Sequence, residues 1–451
     1  MMRHPTARPV AAAWHVLGVL AFVGCTVTDP NLASPDIQAA KAGAGPSVTA
    51  ATPPYGNRGE SGKQVTITGS GFAAGDQASW ERNGAADPKI HVVATQFVSA
   101  TQLVATINIA GDAELAFYDV AVLRPGRKGG IGTMLFEVTQ AVPVAGTSIL
   151  RGVNENGLLG FGLGQPAYWS EAGGLVTLPQ ILPDGGGVWA IDEAGVTMTG
   201  FECCDIGIIP VWTLIGGTWQ EDALPLGAGT VGGRGGAIAS DPGSGEAVYI
   251  GGIEQSRLGT KKPIVTVTLP ILWRRGVAGW ERIGLPSLAA DGSGTVIDVN
   301  PSGVAVGNSN GQAVIWEPSG SGGWSIASLP GNEVDARSIN SAGDLIGGGV
   351  AAYWLRQAGG GWTINHLPMA CGPVKSVDDL GRIAAARCPQ TSRMLRPAIF
   401  SPPYTDPPVF LGSLGVRRNE TNVGVNLEFM SSRGSWVVGQ IDGTGVYWRV
   451  F

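Results

Sequence analysis

Residues 339–354 read INSAGDLIGGGVAAYW, and close variants of this run stand on both sides of it. VNENGLLGFGLGQPAYW (153–169) precedes it, and VDDLGRIAAAR (377–387) followed by RPAIF (396–400) comes after. Aligning the hydrophobic–aromatic pair gives Tyr168-Trp169, Val211-Trp212, Leu272-Trp273, Ile315-Trp316, Tyr353-Trp354, Ile399-Phe400 and Tyr447-Trp448, seven copies in all. The copies recur about every 46 residues with only strand-like segments between them, the spacing of four-stranded propeller blades. A lone four-stranded sheet leaves apolar surface open, so the sequence repeats until a ring of sheets covers it.

Within a copy, the first strand ends on Asn or Asp and a Gly follows three residues later: Asn154 and Gly157, Asp192 and Gly195, Asn300 and Gly303, Asn340 and Gly343, Asp378 and Gly381. This is hairpin-turn chemistry, in which the Asx side chain accepts forward bonds and Gly takes the left-handed position. Calcium is excluded there, because each turn offers one or two side-chain oxygens where the ion needs six to eight ligands. Glycines at 160, 200, 307, 347 and 439 predict close approach on the second strand, with the aromatic of the third strand as the expected neighbour. The fourth strand closes on Leu-Pro at 178, 224, 285, 329 and 367, where proline needs no donor. The last copy stops after its third strand, so a segment within 139–148 (TQAVPVAGTS) is expected to supply the missing one. The pattern GVNENG…GQPAYW…LP resembles the HAF-type extracellular repeats of bacteria over about 145–451, which implies a secreted or surface propeller and no agreed activity.

The N-terminus suggests an address. MMRHPTARP is basic, and AAAWHVLGVLAFVG (11–24) is a 14-residue apolar run ending at Cys25, too short to span a bilayer and suited to an export signal. FVGC resembles a bacterial lipobox, which implies lipidation of Cys25 and an outer-membrane or cell-surface anchor; the alternative is a cleaved signal and a secreted or periplasmic chain. Residues 26–46 lack any period and read as a tether. From 47 to 139 short alternating strands predict a two-sheet sandwich, with Val65 and Ile67 on one inner face and Val120 and Val122 on another. The segment VTITGSGF, with Pro53 and Pro54 before it and YDVAV and LFEV after, resembles the TIG/IPT family, implying an Ig-like spacer or protein-contact module. The expected architecture is therefore all-β, an Ig-like sandwich (47–139) followed by a seven-bladed propeller (140–451).

Composition narrows the function. A net charge of −6 over 451 residues supplies no basic stripe for nucleic acid. Export makes disulfides available. Cys371 and Cys388 lie equally far from the turn at 378–381 and can bridge opposed strands, leaving Cys203 and Cys204 as a vicinal disulfide or free thiols. No ligand-spaced cluster suggests a metal or cofactor. Two histidines beyond the signal, His91 and His366, give no Ser/His/Asp set, and the adjacent pair Asp378 and Asp379 cannot face across a substrate. The sequence thus reads as a monomeric, non-enzymatic envelope protein. Its propeller would bind a protein or glycan through its long-loop face (202–210, 254–263, 388–397), bearing Arg257, Lys261, Lys262, Arg393 and Arg396. A polysaccharide hydrolase or lyase and a purely structural protein are the alternatives.

Overall fold

A computed structural model describes residues 45–450 apart from 126, 163, 183–184, 203–207, 259–264, 321, 369, 388–395 and 417–424. Every regular element among the described residues is a strand, and Gly45–Phe451 forms one compact unit.

The first nine strands build two facing sheets. One contains Ser47–Thr52, Lys63–Ser70, Gln102–Ile109 and Ile90–Ser99; the other contains Tyr55–Asn57, Arg127–Thr139, Phe117–Arg124, Gln77–Arg82 and Ala85–Ala86. Gln102–Ile109 alternates buried and half-buried at every step, as a strand with one face on a core must. Val65, Ile67, Val120 and Val122 all point into that core, and Trp80 meets Phe136 edge-on within it, ring centroids 5.6 Å apart.

The remaining chain folds into seven four-stranded antiparallel sheets, one for each aromatic-bearing copy, forming a propeller. Their first strands are Leu150–Val153, Gly186–Ile191, Thr230–Ser240, Thr295–Val299, Ala336–Ile339, Ala370–Val377 and Val425–Met430. Each sheet packs on the next, and the seventh returns to the first, where Trp436, Val438 and Tyr447 share a core with Leu150 and Leu159. Ala141–Pro143 pairs with Thr444–Arg449 as the outermost strand of the seventh sheet, which is the strand expected from 139–148. The ring is thereby closed by the chain preceding it, and no sheet is left short.

The turn chemistry is as the spacing predicts. Gly157, Gly195, Gly303, Gly343 and Gly381 lie at φ between 70° and 77°, and each N–H closes on the Asx carbonyl three residues back at 2.9–3.1 Å. The aromatic and Leu-Pro motifs prove to be one device. Trp212, Trp273, Trp316 and Trp354 are fully buried and donate Nε1–H to the carbonyl oxygens of Pro179, Pro225, Pro286 and Pro330 of the preceding sheet, at 2.7–2.8 Å. Trp448 does the same to Gly412, at 3.2 Å, whereas Phe400 in the sixth sheet carries no donor. The leucine before each proline donates its own N–H to a carbonyl on or next to the third strand, as Leu329 does to Ala313 at 2.9 Å, so proline costs no hydrogen bond.

Two expectations are corrected. The neighbour crowding the second-strand glycines is not the tryptophan. A Cβ on Gly307 or Gly439 would lie 1.9 Å from the carbonyl oxygen of Thr295 or Asn426 in the same sheet's first strand, and one on Gly160 or Gly347 would strike Val188 or Val374 of the next sheet. The long step in the third copy is not a loop over 254–263 either. The strands Ala247–Leu258 and Val265–Gly276 run on as an extended hairpin, with Arg257 paired to Thr266.

The sandwich is docked onto the propeller. Fully buried Glu137 accepts hydrogen bonds from the N–H of Ser413 at 3.0 Å and of Gly415 at 2.6 Å, in the connection between the sixth and seventh sheets. Burial pushes its carboxyl up from the usual range, while those N–H donors and the positive charge of Arg396 oppose the rise.

Candidate functional site

The first strands of all seven sheets line a cavity of about 520 Å³ on the ring axis. What they present there is set by a backbone irregularity. Every first strand shifts register against its second strand by a β-bulge, between Leu150 and Val153, Val188 and Ala190, Gly235 and Ala237, Val296 and Asp298, Ala336 and Ser338, Val374 and Ser376, and Leu427 and Phe429. A bulge leaves one residue unpaired and re-aims its side chain. In the last six sheets these residues are Trp189, Gly236, Ile297, Arg337, Lys375 and Glu428, of which Trp189 and Gly236 line the cavity. Arg151 holds the matching place in the first sheet, three residues before the turn, as Trp189, Ile297, Arg337, Lys375 and Glu428 also do.

The rim is a belt of turns bonded to one another. Glu155 donates its N–H to Glu193 at 2.9 Å, and Glu193 to the Ser240 hydroxyl at 3.0 Å. Ser341 donates its N–H to Asp379 at 2.7 Å, Asp379 to the Ser432 carbonyl at 2.7 Å, and Arg433 to Glu155 at 2.6 Å, which brings the belt back to the first sheet. These bonds hold carboxylates at the mouth. Inside it, Asp298 accepts the Ile339 N–H at 2.9 Å, and burial, with a smaller push from the Asp379 charge, drives its carboxyl up to about 6.

Arg151 and Trp189 are also in the wall, with further basic side chains near them. The Arg151 and Arg234 guanidinium carbons lie 4.4 and 4.6 Å from the centroid of the Trp189 ring. Burial, and then the neighbouring Arg151, hold Arg234 below the usual arginine range. Lys375 is likewise pushed down by burial, against the pull of Glu428, whose carboxylate is 4.0 Å from its ammonium. Arg337 is paired with Asp335 at 2.7 Å.

Chain direction places this mouth on the face of the strand 1–2 turns, opposite the long-loop face favoured by the sequence. Of the residues expected on that other face, Arg257 is exposed, and Arg396 is half-buried at the sandwich junction, 5.0 Å from the Phe117 ring centroid and 5.6 Å from that of Phe410. Lys261, Lys262, Arg393, Cys25, Cys203, Cys204 and Cys388 lie outside the described residues. Cys371 belongs to the strand Ala370–Val377, in which Ala370 pairs with Arg387. His366 is on an outermost strand, 3.6 Å from Glu333 and away from the axis. The axial residues were missed because a strand of strict alternation gives the place three residues before the turn no special direction. Its recurrence at fixed spacing was the available signal. No group of three metal-ligating side chains occurs among the described residues.

No family model matches this chain, and no curated protein matches it. Similar solved structures include virginiamycin B lyase from Staphylococcus aureus, at 9% identity and a TM-score of 0.45, covering 69% of this chain and 99% of that one. A catalytically inactive variant of that lyase with quinupristin is similar at 10% identity and a TM-score of 0.42, covering 69% and 99%. A quinonprotein alcohol dehydrogenase-like protein from Bacteroides thetaiotaomicron follows at 10% and 0.22, covering 81% and 96%. Two of these structures are of a lyase, a likeness at 9–10% identity, and the expectation that the chain is not an enzyme is withdrawn.

Proposed function

We propose that this is an exported, monomeric envelope protein, lipidated at Cys25, in which an Ig-like sandwich carries a propeller that binds its ligand, a glycan, in the axial cavity. The observation that carries this reading is the cavity of about 520 Å³ that the seven bulged first strands enclose, with Arg151, the Trp189 indole and Asp298 in its wall. Loops on a rigid frame are the usual place for recognition, and here the turns are hydrogen-bonded to one another as well. The sandwich occupies part of the opposite face, which leaves the turn face to the ligand.

Gly236 offers a direct test. A Cβ there would meet only the Gly251 carbonyl oxygen, at 3.8 Å, so Gly236→Trp fills the cavity without striking the wall at its root. The wild type is expected to retain specific glycans on an array and the variant to lose them at least tenfold, with an unchanged melting temperature. Equal retention by both proteins would refute the cavity as the site.

A second reading, cleavage of a polysaccharide in the same cavity, is favoured by Asp298, whose carboxyl near 6 suits general acid or base work close to neutral pH. Because that value lies above the unfolded one, the carboxyl costs stability as pH rises from about 4 through 6 and does so fully above. Asp298→Asn should therefore gain stability relative to the wild type across that window, by less than about 3 kcal/mol since the cavity admits water. Under this reading the variant also loses depolymerising activity, measured by reducing-end release.

A further inference from the structure

The wall of the axial cavity carries five carboxylates, Glu155, Glu193, Asp241, Asp298 and Asp379, against the two guanidinium groups of Arg151 and Arg433. Among the described residues none of the five is in an ion pair. Burial raises the Glu193 carboxyl from its usual range, and the Glu155 charge adds to that rise, as the Asp379 charge does at Asp298. The protein thus leaves like charges facing one another across its own cavity, and a cation entering there relieves them.

A second observation lies in the same wall. Asp298, Ser338 and Ser376 each stand two residues before the Asx of their turn, in the fourth, fifth and sixth sheets. The first two spend their side chains on the backbone of the next sheet: Asp298 accepts the Ile339 N–H at 2.9 Å and Ser338 the Val377 N–H at 3.1 Å. Ser376 is 3% exposed and lines the cavity, yet its hydroxyl has no hydrogen-bond partner among the described residues. A hydroxyl buried without a partner is costly, and this one is met by what fills the cavity.

Taking the axial cavity as the glycan site proposed above, we infer that its ligand is an amino sugar, a short glycan whose amine is unacylated and protonated. Its ammonium meets the unpaired carboxylates of the wall, and a sugar hydroxyl bonds to Ser376. The volume of about 520 Å³ falls within the range of small-ligand sites, about 300–1,000 Å³. An acidic sugar is repelled by the same carboxylates, and a neutral one leaves their mutual repulsion in place.

The test is calorimetric titration of the full chain with a glucosamine disaccharide bearing free amines, its N-acetylated counterpart and spermidine. It is run at about pH 6.5, below the range of such amines and above that of ordinary carboxylates. The wild type is expected to bind the free-amine sugar at least tenfold more tightly than the acetylated one, and spermidine more weakly than the free-amine sugar. Added salt should weaken the free-amine sugar at least threefold and leave the acetylated one unchanged, a readout that needs no variant. Glu193→Gln with Asp379→Asn should abolish the preference while keeping an amide oxygen for the backbone donors at each place. Ser376→Ala should weaken both sugars by a similar factor and leave the preference standing. Equal binding of the two sugars, with Gly236→Trp abolishing both, would overturn the amino-sugar inference and leave the cavity reading intact. Tighter binding of spermidine would assign the carboxylates to a polyamine and overturn it too. A preference that survives salt and the double variant, or binding of none of the three compounds, would likewise sink it.

Discussion

Trp316→Ala is expected to destabilise the propeller by about 3–5 kcal/mol, the range for removing a buried aromatic from a packed core. Trp316 is fully buried and contributes to the core between the third and fourth sheets, with Leu272, Leu285, Val296 and Val314 around it. Its loss opens a cavity between two sheets that have no other means of covering those faces. It also strands the Pro286 carbonyl, which now accepts the indole N–H at 2.7 Å. Trp316→Phe isolates the second effect, since the ring remains and the donor goes; about 1–3 kcal/mol is expected from the unsatisfied acceptor. Urea denaturation followed by tryptophan fluorescence and far-UV dichroism measures both. Because each sheet leans on its two neighbours and the ring is closed, the loss should appear as a lower midpoint of one transition, not as melting of one sheet. An alanine variant within 1 kcal/mol of the wild type would show that the aromatic repeat does not hold the ring together.

The second large effect is expected at the sandwich junction. Glu137→Ala removes a buried carboxylate that accepts from two backbone N–H groups and the Ser413 hydroxyl, at distances of 2.6–3.2 Å. The donors are left unmet, and the Arg396 charge, which acts on this carboxylate, loses its counterweight. Breaking such a buried charged contact costs about 3–5 kcal/mol. Sandwich and propeller have separate cores, so the loss falls on their union: denaturation is expected to split into two transitions and protease to gain access near 139–141, where the chain passes from one to the other. A single transition at an unchanged midpoint would show that Glu137 does not fasten them.

Much of the architecture was legible in the sequence because it is written in local terms. The Asx-x-x-Gly turns announce themselves, since only glycine takes φ near 70° without strain and only a short polar side chain bonds forward to the turn. The aromatic pair and Leu-Pro were legible as recurring marks, but their union was not. The Trp316 indole and the Pro286 carbonyl are 30 residues apart and meet because adjacent sheets stack at a particular offset. The second-strand glycines were rightly taken as points of close approach and wrongly matched to tryptophan, because a bulge moves the backbone of the first strand and strand alternation does not reveal it.

The candidate site was hidden for the same reason. Arg151 and Trp189 look in sequence like ordinary members of alternating strands. The long loops drew attention because length and charge are visible in a string of letters. The sequence by itself determined the local conformations: strands, turns, the period and the segment that closes the ring. Only the tertiary structure decided which side chains face the axis and that Glu137 fastens the sandwich to the propeller. Turns and strands are fixed by residues a few places apart, whereas the direction of a bulged side chain and the partner of a buried charge depend on strands that the chain brings together from far along its length.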